Sequence, residues 1–296
     1  MLPPPEEVPR ARFSIVGDGW VGGLAMNVRE GTLRDRDAIL ALRRAAFPRD
    51  DLEKQRPDFW EWQFGRGRTF VGEEGGRVVG HLGFVPYRIG AERVPAMLAC
   101  DAMVDPAVRG RGIFSTLATV ATEIVRRDVP LVVAFQIRDA VLPAMMRAGY
   151  APVLRAPILL RPTFALPRRK IVEARRDVVV GDEWVDWRFN QSPAWRYAEW
   201  RDGRGYVITR DSMLKGIVTH CLVDFGGEPR AVIRASIRDA RRRGVTLTAA
   251  LVSRAHPNFG TLLRCGYVPG PHRFRFLVHG RAERQWALTW ASTDHV

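Results

Sequence analysis

The segment 97–117 constrains the fold of this chain more than any other. Residues 97–104 are mostly apolar and end at Asp105-Pro106, which is typical of a strand followed by a turn. Arg109-Gly110-Arg111-Gly112 comes next, and apolar residues then recur at intervals of three and four from 113 to 125, which indicates an amphipathic helix. The chain is therefore predicted to pass from a strand through a Gly-rich loop directly into a helix.

Such a loop can bind phosphate. Glycine at 110 and 112 allows positive φ and a close approach to a ligand, so that successive N–H groups converge on an anion. The new helix adds free N–H groups and the positive end of its dipole, and Arg109 and Arg111 can form forked hydrogen bonds to phosphate oxygens. A plain Arg-rich turn is an alternative for the four residues alone, but the strand before them and the helix after them favour phosphate binding.

The loop resembles the signature Arg/Gln-x-x-Gly-x-Gly/Ala of the GNAT superfamily of acyl-CoA-dependent N-acyltransferases, except that Phe114 stands where the family usually has Gly or Ala. The resemblance covers about the first half of the chain, from a first strand at 28–30 to Gly149-Tyr150. It implies an acyl-CoA cosubstrate, no metal, and an α/β fold in which helices flank a mixed, mostly antiparallel sheet. The coenzyme-binding residues implied are Ala102, Met103, Val104, Arg109, Gly110, Arg111, Gly112, Ile113 and Phe114.

The second half of the chain repeats parts of the first. Residues 126–134 (RRDVPLVVA) are similar to 242–250 (RRGVTLTAA), and 145–152 (MMRAGYAP) are similar to 262–269 (LLRCGYVP), at shifts of 116 and 117 residues. This near-constant offset favours two GNAT-like units in tandem, although generic strand and helix patterning could produce a similar echo.

From these repeats we expect three parts: an N-terminal extension at 1–25, a GNAT domain with the acyl-CoA site at 26–165, and a GNAT-like domain at 166–296. A Pro- and Arg-rich stretch at 153–180 is expected to carry the connection. Before its predicted helix the second copy has Phe-Gly-Gly-Glu-Pro at 225–229, where a carboxylate would repel a pyrophosphate. We therefore expect one coenzyme site, in the N-terminal unit.

Two side chains are candidates for the general base that deprotonates an amine. Asp101 precedes the end of the donor strand and alternates onto the face of Met103, and His81 lies in a predicted strand with an ordinary pKa suited to the task. Asp101 could instead bind loop N–H groups, and His81 could be a core residue.

Many GNAT enzymes also carry a Tyr, four residues before a Gly, that protonates the leaving thiolate. Met145 stands there in this sequence, and Arg138 stands where an Asn is often found.

Composition limits the other function classes. The net charge is +14, but only three of the 46 basic residues are lysine, and the charges are spread along the chain. This distribution favours a solvated surface, or an acidic partner such as an acyl carrier protein, over a nucleic-acid partner. No run of eighteen apolar residues and no signal-peptide pattern occurs, which predicts a soluble, cytoplasmic protein. Three scattered cysteines suit neither disulfides nor zinc.

The resemblance and the residues together predict transfer of an acetyl or related acyl group from coenzyme A to a primary amine, directly in a ternary complex. The amine, on a small molecule or a peptide, cannot be identified from the sequence. A long-chain donor on an acyl carrier protein, and a non-catalytic protein that senses acyl-CoA or binds nucleic acid, are the alternatives. The tryptophans are expected to pack in the core or between the units, and the alternative is that they line a cleft for the acceptor or a long acyl chain. Residues 285–290 are expected to form a last strand.

Overall fold

The computed structural model describes residues 26–48, 52–90, 92–136, 139–163, 175–279 and 286–293. The strands are β1 Asn27–Glu30, β2 Arg68–Glu74, β3 Arg77–Ile89, β4 Val94–Val104, β5 Val132–Gln136, β6 Tyr150–Pro162, β7 Arg175–Arg176, β8 Ala198–Arg201, β9 Gly205–Leu214, β10 Ile217–Gly227, β11 Leu247–Leu251 and β12 Val268–His279. The α-helices are α1 Arg36–Ala46, α2 Pro57–Phe64, α3 Ile113–Asp128, α4 Leu142–Arg147, α5 Glu183–Val185, α6 Arg230–Arg242 and α7 Phe259–Arg264. Short 3₁₀ turns lie at Leu33–Asp35, Leu52–Gln55, Pro106–Val108 and Trp290–Ser292, and a π-helical turn lies at Asp186–Asn190.

All the described strands belong to one sheet. Their order is β1-β2-β3-β4-β5-β12-β6-β11-β10-β9-β8-β7. The pairs β4–β5 and β10–β11 are parallel, and every other neighbouring pair of described strands is antiparallel. The predicted α/β class, with a mixed and mostly antiparallel sheet, is confirmed.

The helices cover both faces of the N-terminal strands. The α3 helix buries Leu117, Ala121 and Val125 in a core that includes strand residues of β3 and β4, and α4 packs beside it. The α1 and α2 helices pack on the other face, where Gly83 is required because a Cβ there would lie 2.2 Å from the Phe64 ring. Two separate layers of helix therefore enclose the strand that carries the predicted site.

The two halves of the chain exchange their long strands. The β12 strand lies between β5 and β6, and β6 in turn pairs with β11. The expectation of a connecting stretch at 153–180 is therefore wrong for residues 153–162, which belong to β6. Proline is tolerated in this interior strand because Pro152 and Pro157 lie beside irregularities in the register with β12, where the ladder of hydrogen bonds is interrupted.

The C-terminal segment is anchored without forming the predicted strand at 285–290. Residue 285 lies outside the described residues, and in 286–293 the structure has one isolated bridge, between Val252 and Thr289, followed by the turn Trp290–Ser292. Ser253 holds the segment through its hydroxyl, which donates to the Trp286 carbonyl at 2.6 Å and accepts from the Leu288 N–H at 2.8 Å. Side-chain hydrogen bonds replace the strand ladder here.

Aromatic side chains join α2 to the segment 184–195. The Trp62 and Trp187 rings are stacked at 5.1 Å, and each indole N–H donates to the backbone carbonyl of the other residue, at 3.0 and 3.2 Å. Phe59 packs edge-on against Trp195 at 5.0 Å. These contacts give Trp62 and Trp187 the expected packing role, whereas Trp195 and Trp200 also line the cavity described below.

A buried histidine makes the stability of the C-terminal half depend on pH. His256 is 4% exposed, and burial lowers its pKa from 6.5 to about 4, so it is neutral in the folded protein. The unfolded chain takes up a proton below pH 6.5, and the stabilisation is therefore lost as the pH falls toward 4. From pH 7 to pH 5 we expect a loss of about 2 kcal/mol in the free energy of unfolding that is absent in His256→Asn. Urea unfolding at both pH values measures it, and the exposed His272→Asn is the control that should keep the loss.

None of the helices in the described part of the chain combines the length and the apolar composition needed to span a bilayer. Within the same residues, no three or more His, Cys, Asp or Glu side chains are grouped so that they could hold a metal ion.

Candidate acyl-coenzyme site and acceptor groove

The loop at 109–112 has the geometry of an anion cradle. Gly110 and Gly112 have φ values of +83° and +80°, and a Cβ at either position would meet nothing within 4 Å. The α3 helix starts at Ile113, so its first N–H groups have no partner within the helix and face the same space as the loop. Ile113 is buried at 3% exposure, and Gly80 lets this helix end approach β3 closely, since a Cβ there would lie 3.2 Å from Ile113.

Three guanidinium groups surround this helix start. Arg111 forms an ion pair with Glu74 at 2.6 Å, and the Arg109 Nε donates to the Val104 carbonyl at 3.2 Å. Arg147, on α4, donates to the Ser115 hydroxyl in the first turn of α3 at 3.0 Å. Open space, free N–H groups and three cations suit a diphosphate group, so the residues present fit the acyl coenzyme. Arg147 was not predicted, because nothing in the sequence shows that α4 packs beside α3.

Glu74 competes with phosphate for Arg111. The ion pair is exposed, and such pairs contribute less than about 1 kcal/mol. We therefore expect Glu74→Gln to lower the Kd for acetyl-CoA about two- to fivefold, measured by calorimetric titration. The matched control is the neighbouring Glu73→Gln, which removes one of the two acidic partners of Arg29. It should change the Kd by less than about half of the change that Glu74→Gln produces. An unchanged Kd in Glu74→Gln would mean that Arg111 does not bind the coenzyme.

The strands β4 and β5 separate beside this loop. Their parallel pairing covers only Met97 to Ala99 against Val132 to Ala134. Asp101 has a positive φ of 54°, and the register between β3 and β4 shifts at this point, which is the mark of a β-bulge. From residue 100 to 104, β4 keeps β3 on one edge and has no described strand on the other. That edge leaves backbone groups of β4 free to face a ligand.

A cavity of about 1490 Å³ extends through this gap. Its lining includes Leu82, Ala99 and Met145 from the core on the α3 face of the sheet, and Cys100 and Phe135 from the core on the α1 face. From there it continues as a groove between the 3₁₀ turn Leu52–Gln55 and the segment 194–200. The cavity therefore reaches the α3 face of the sheet through Leu82, Ala99 and Met145, although none of the residues 109–114 belongs to its described lining, and it widens on the opposite face into a large groove, which we call the acceptor groove.

Asp101 and His81 differ in their access to this groove. Asp101 lines it, and its carboxylate forms an ion pair with Arg43 of α1, both side chains being less than a tenth exposed. His81 is fully buried, does not belong to the described lining, and donates from Nδ1 to the Asp101 carbonyl at 2.9 Å. Burial lowers the pKa of His81, so the ring is neutral. Sequence reasoning missed Arg43 because the pair joins residues 58 positions apart.

The remaining predicted residues take different positions around the gap. Ala102 lines the cavity, Met103 is buried at 2% exposure with its backbone paired to His81, and Phe114 is half-buried at the helix start. Met145 lines the cavity at the position where the resemblance would place a tyrosine. Arg138 lies outside the described residues.

Comparisons with known proteins find a domain match in the first half of the chain and a similar fold over most of it. The family model described as an acetyltransferase (GNAT) domain matches residues 27–151, and no curated protein matches the sequence. A protein from Pyrococcus horikoshii with a provisional assignment as an acetyltransferase is 12% identical, covers 94% of this chain and 97% of its own, and has a TM-score of 0.62. A GCN5-related N-acetyltransferase from Anabaena variabilis is 15% identical, with 86% and 72% covered and a TM-score of 0.61. N-myristoyltransferase from Saccharomyces cerevisiae, solved with myristoyl-CoA, is 11% identical, with 87% and 79% covered and a TM-score of 0.54.

These likenesses to solved structures concern the fold. The sequence match to the acetyltransferase (GNAT) domain covers residues 27–151, the segment that contains the loop 109–112 and the strands on both sides of the gap.

Proposed function

We propose that this protein is an acyl-CoA-dependent N-acyltransferase that transfers an acetyl or related acyl group to a primary amine in a ternary complex. The observation that carries the proposal is the gap between β4 and β5. The cavity in this gap reaches the face of the sheet on which α3 and its phosphate cradle lie, and it continues on the other face into the acceptor groove. A thioester in this gap would be reachable from the groove, which is the arrangement that direct transfer requires.

The chain's own residues supply positioning and a proton acceptor. The loop 109–114 binds the diphosphate, and the free edge of β4 from Ala102 to Val104 offers backbone N–H groups for charge that builds on the thioester oxygen. The amine nitrogen forms a bond to the acyl carbon, the carbon–sulfur bond breaks, and the proton of the amine passes to Asp101 directly or through water. The thiolate takes a proton from water, because the thioether of Met145 has none to give.

In this proposal His81 is a positioning residue and not a base. Its neutral ring holds the Asp101 carbonyl and so supports the bulge at which β4 leaves β5. Arg43 keeps the Asp101 side chain oriented toward the groove.

We also propose that the chain is a tandem of two GNAT-like units, divided near residue 165, with a second copy that does not bind coenzyme. The reciprocal hydrogen bonds of Trp62 and Trp187 and the exchanged strands β6 and β12 support two related halves. In the second half β10 and β11 also part, after Leu222 and Ala250. Thr289 bridges this second gap, with its backbone on Val252 and its hydroxyl donating to Asp224 at 3.0 Å.

A segment of the chain itself thus occupies the place that the coenzyme would take in the second half. The acidic residue Glu228 precedes α6 and pairs with Arg204. Both features support a single donor site per chain.

The test is a calorimetric titration of acetyl-CoA followed by thiol release with a panel of primary amines: polyamines, amino acid amides and short peptides. Saturable one-to-one binding and amine-dependent thiol release are expected. The absence of saturable binding would overturn the proposal for a coenzyme A donor.

A donor carried by an acyl carrier protein is the second candidate, favoured by the net charge of +14, which suits an acidic partner. In that case an acyl carrier protein loaded with a long chain should be the better donor by kcat/KM, with a rate that falls as salt is raised.

A further inference from the structure

The wall of the acceptor groove formed by the C-terminal half contains an arginine that pairs with no acidic side chain in the part of the chain that the structure describes. Arg210, on β9, lies with its guanidinium 4.5 Å from the centroid of the Trp195 ring and donates from Nη2 to the Ser212 hydroxyl at 3.1 Å. All three residues line the groove. The Nη1 atom of Arg210 is buried and has no hydrogen-bond partner in the described protein.

Four carboxylates of the groove lie in ion pairs with other arginines. Asp101 pairs with Arg43, Asp177 with Arg175, and both Asp211 and Asp239 with Arg243. Arg210 differs from these arginines because it is partly buried, packs against the Trp195 ring and forms no ion pair with a described residue. Burying an N–H donor without an acceptor costs free energy, and an oxyanion in the groove would recover it.

We propose that Arg210 binds an oxyanion of the acceptor, a carboxylate or a phosphate, so that the substrate is an amine that also carries an anionic group. The inference rests on the proposed function. The planar guanidinium matches either oxyanion with two parallel hydrogen bonds, and the Trp195 ring fixes its plane and shields it from water.

The position of Arg210 also sets the shape of this acceptor. Five strands separate β9 from β4 in the sheet, and Arg210 and Asp101 approach the groove from the two halves of the chain. The amine and the anion are therefore separated by many bonds in the acceptor, as in a peptide with a free C-terminus, and not by one carbon as in a free α-amino acid.

Matched pairs of amines test the proposal. The first pair is the ten-residue peptide (Gly-Ser)₅ and its C-terminal amide, and the second is that amide with and without a phosphate on its last serine, which separates phosphate from carboxylate as the preferred anion. Ten extended residues reach about 33 Å, enough to span the six strand spacings of about 4.8 Å between β4 and β9. Thiol release from acetyl-CoA is the readout. The wild-type protein is expected to have a kcat/KM about 10- to 100-fold higher for the charged member of at least one pair.

The variant Arg210→Gln should bring the charged-to-neutral ratio to about one, mainly by raising KM for the charged member, while kcat/KM for the neutral member stays within about twofold. Arg210→Lys keeps the charge without the fork and should recover only part of the preference. Arg196→Gln removes an exposed cation from the same groove and is the control that should keep the preference. Thermal melts check that each variant is folded.

An equal rate with both members of each pair in the wild-type protein, or a preference that survives Arg210→Gln, would overturn the proposal while leaving the acyltransferase assignment intact. If no probe is acetylated, the same pairs are titrated calorimetrically against the protein saturated with coenzyme A. Tighter binding of the charged member that is lost in Arg210→Gln supports the oxyanion site. Equal binding of both members overturns it.

Discussion

Replacing Gly112 by Asp is expected to lower the affinity for acetyl-CoA by at least about 100-fold without unfolding the protein. The new side chain would enter the open space of the cradle, and its charge would stand within a few ångströms of the diphosphate, where like charges repel by several kcal/mol at an intermediate dielectric. The positive φ of 80° adds strain of about 1 kcal/mol, which affects stability more than binding. Calorimetric titration of acetyl-CoA measures the loss.

Gly244 offers a closely matched control for this substitution. It has the same φ of 80°, and its Cβ would also meet nothing within 4 Å, but it follows α6, far in sequence from the cradle. Gly244→Asp should therefore show a similar change in melting temperature and an unchanged Kd. Gly112→Ala separates strain from charge and should weaken binding far less than Gly112→Asp. Normal binding by Gly112→Asp would show that the coenzyme does not use this loop.

The parts of the site that the sequence predicted are those that local rules determine. The helix that starts at Ile113 follows from the spacing of its apolar residues, and the positive φ of Gly110 and Gly112 follows from the absence of a side chain. The separation of β4 and β5 followed from the family resemblance, and the register of the two strands agrees with it. These features involve residues close together in the chain.

The missed features depend on contacts between distant residues. Glu74 meets Arg111 across 37 positions, and Arg43 meets Asp101 across 58. The proline content of 152–162 argued against an interior strand, and only the register irregularities opposite Pro152 and Pro157 explain why one forms. No periodicity within a single segment records which strand of the other half will be its neighbour.

The buried pair of Arg43 and Asp101 gives the second large prediction. Arg43→Met should lower the free energy of unfolding by about 3 to 5 kcal/mol, because it leaves the Asp101 carboxylate buried without the guanidinium that compensates its charge. Urea unfolding measures the loss. The double variant Arg43→Met/Asp101→Asn removes both charges and should recover at least half of it, since the neutral amide costs less to bury and Asn tolerates the φ of 54° at this position.

The same variants separate a structural role of Asp101 from a chemical one. If Asp101 only supports the bulge, Asp101→Asn should lower kcat because the buried charge of Arg43 is then uncompensated. The double variant removes that charge and should restore both kcat and stability. If Asp101 accepts the proton of the amine, kcat should stay low in both variants, by a factor of about 100 or more, while the Kd for acetyl-CoA is unchanged. Recovery of kcat in the stable double variant would therefore remove Asp101 from the chemistry and leave water as the acceptor of the proton.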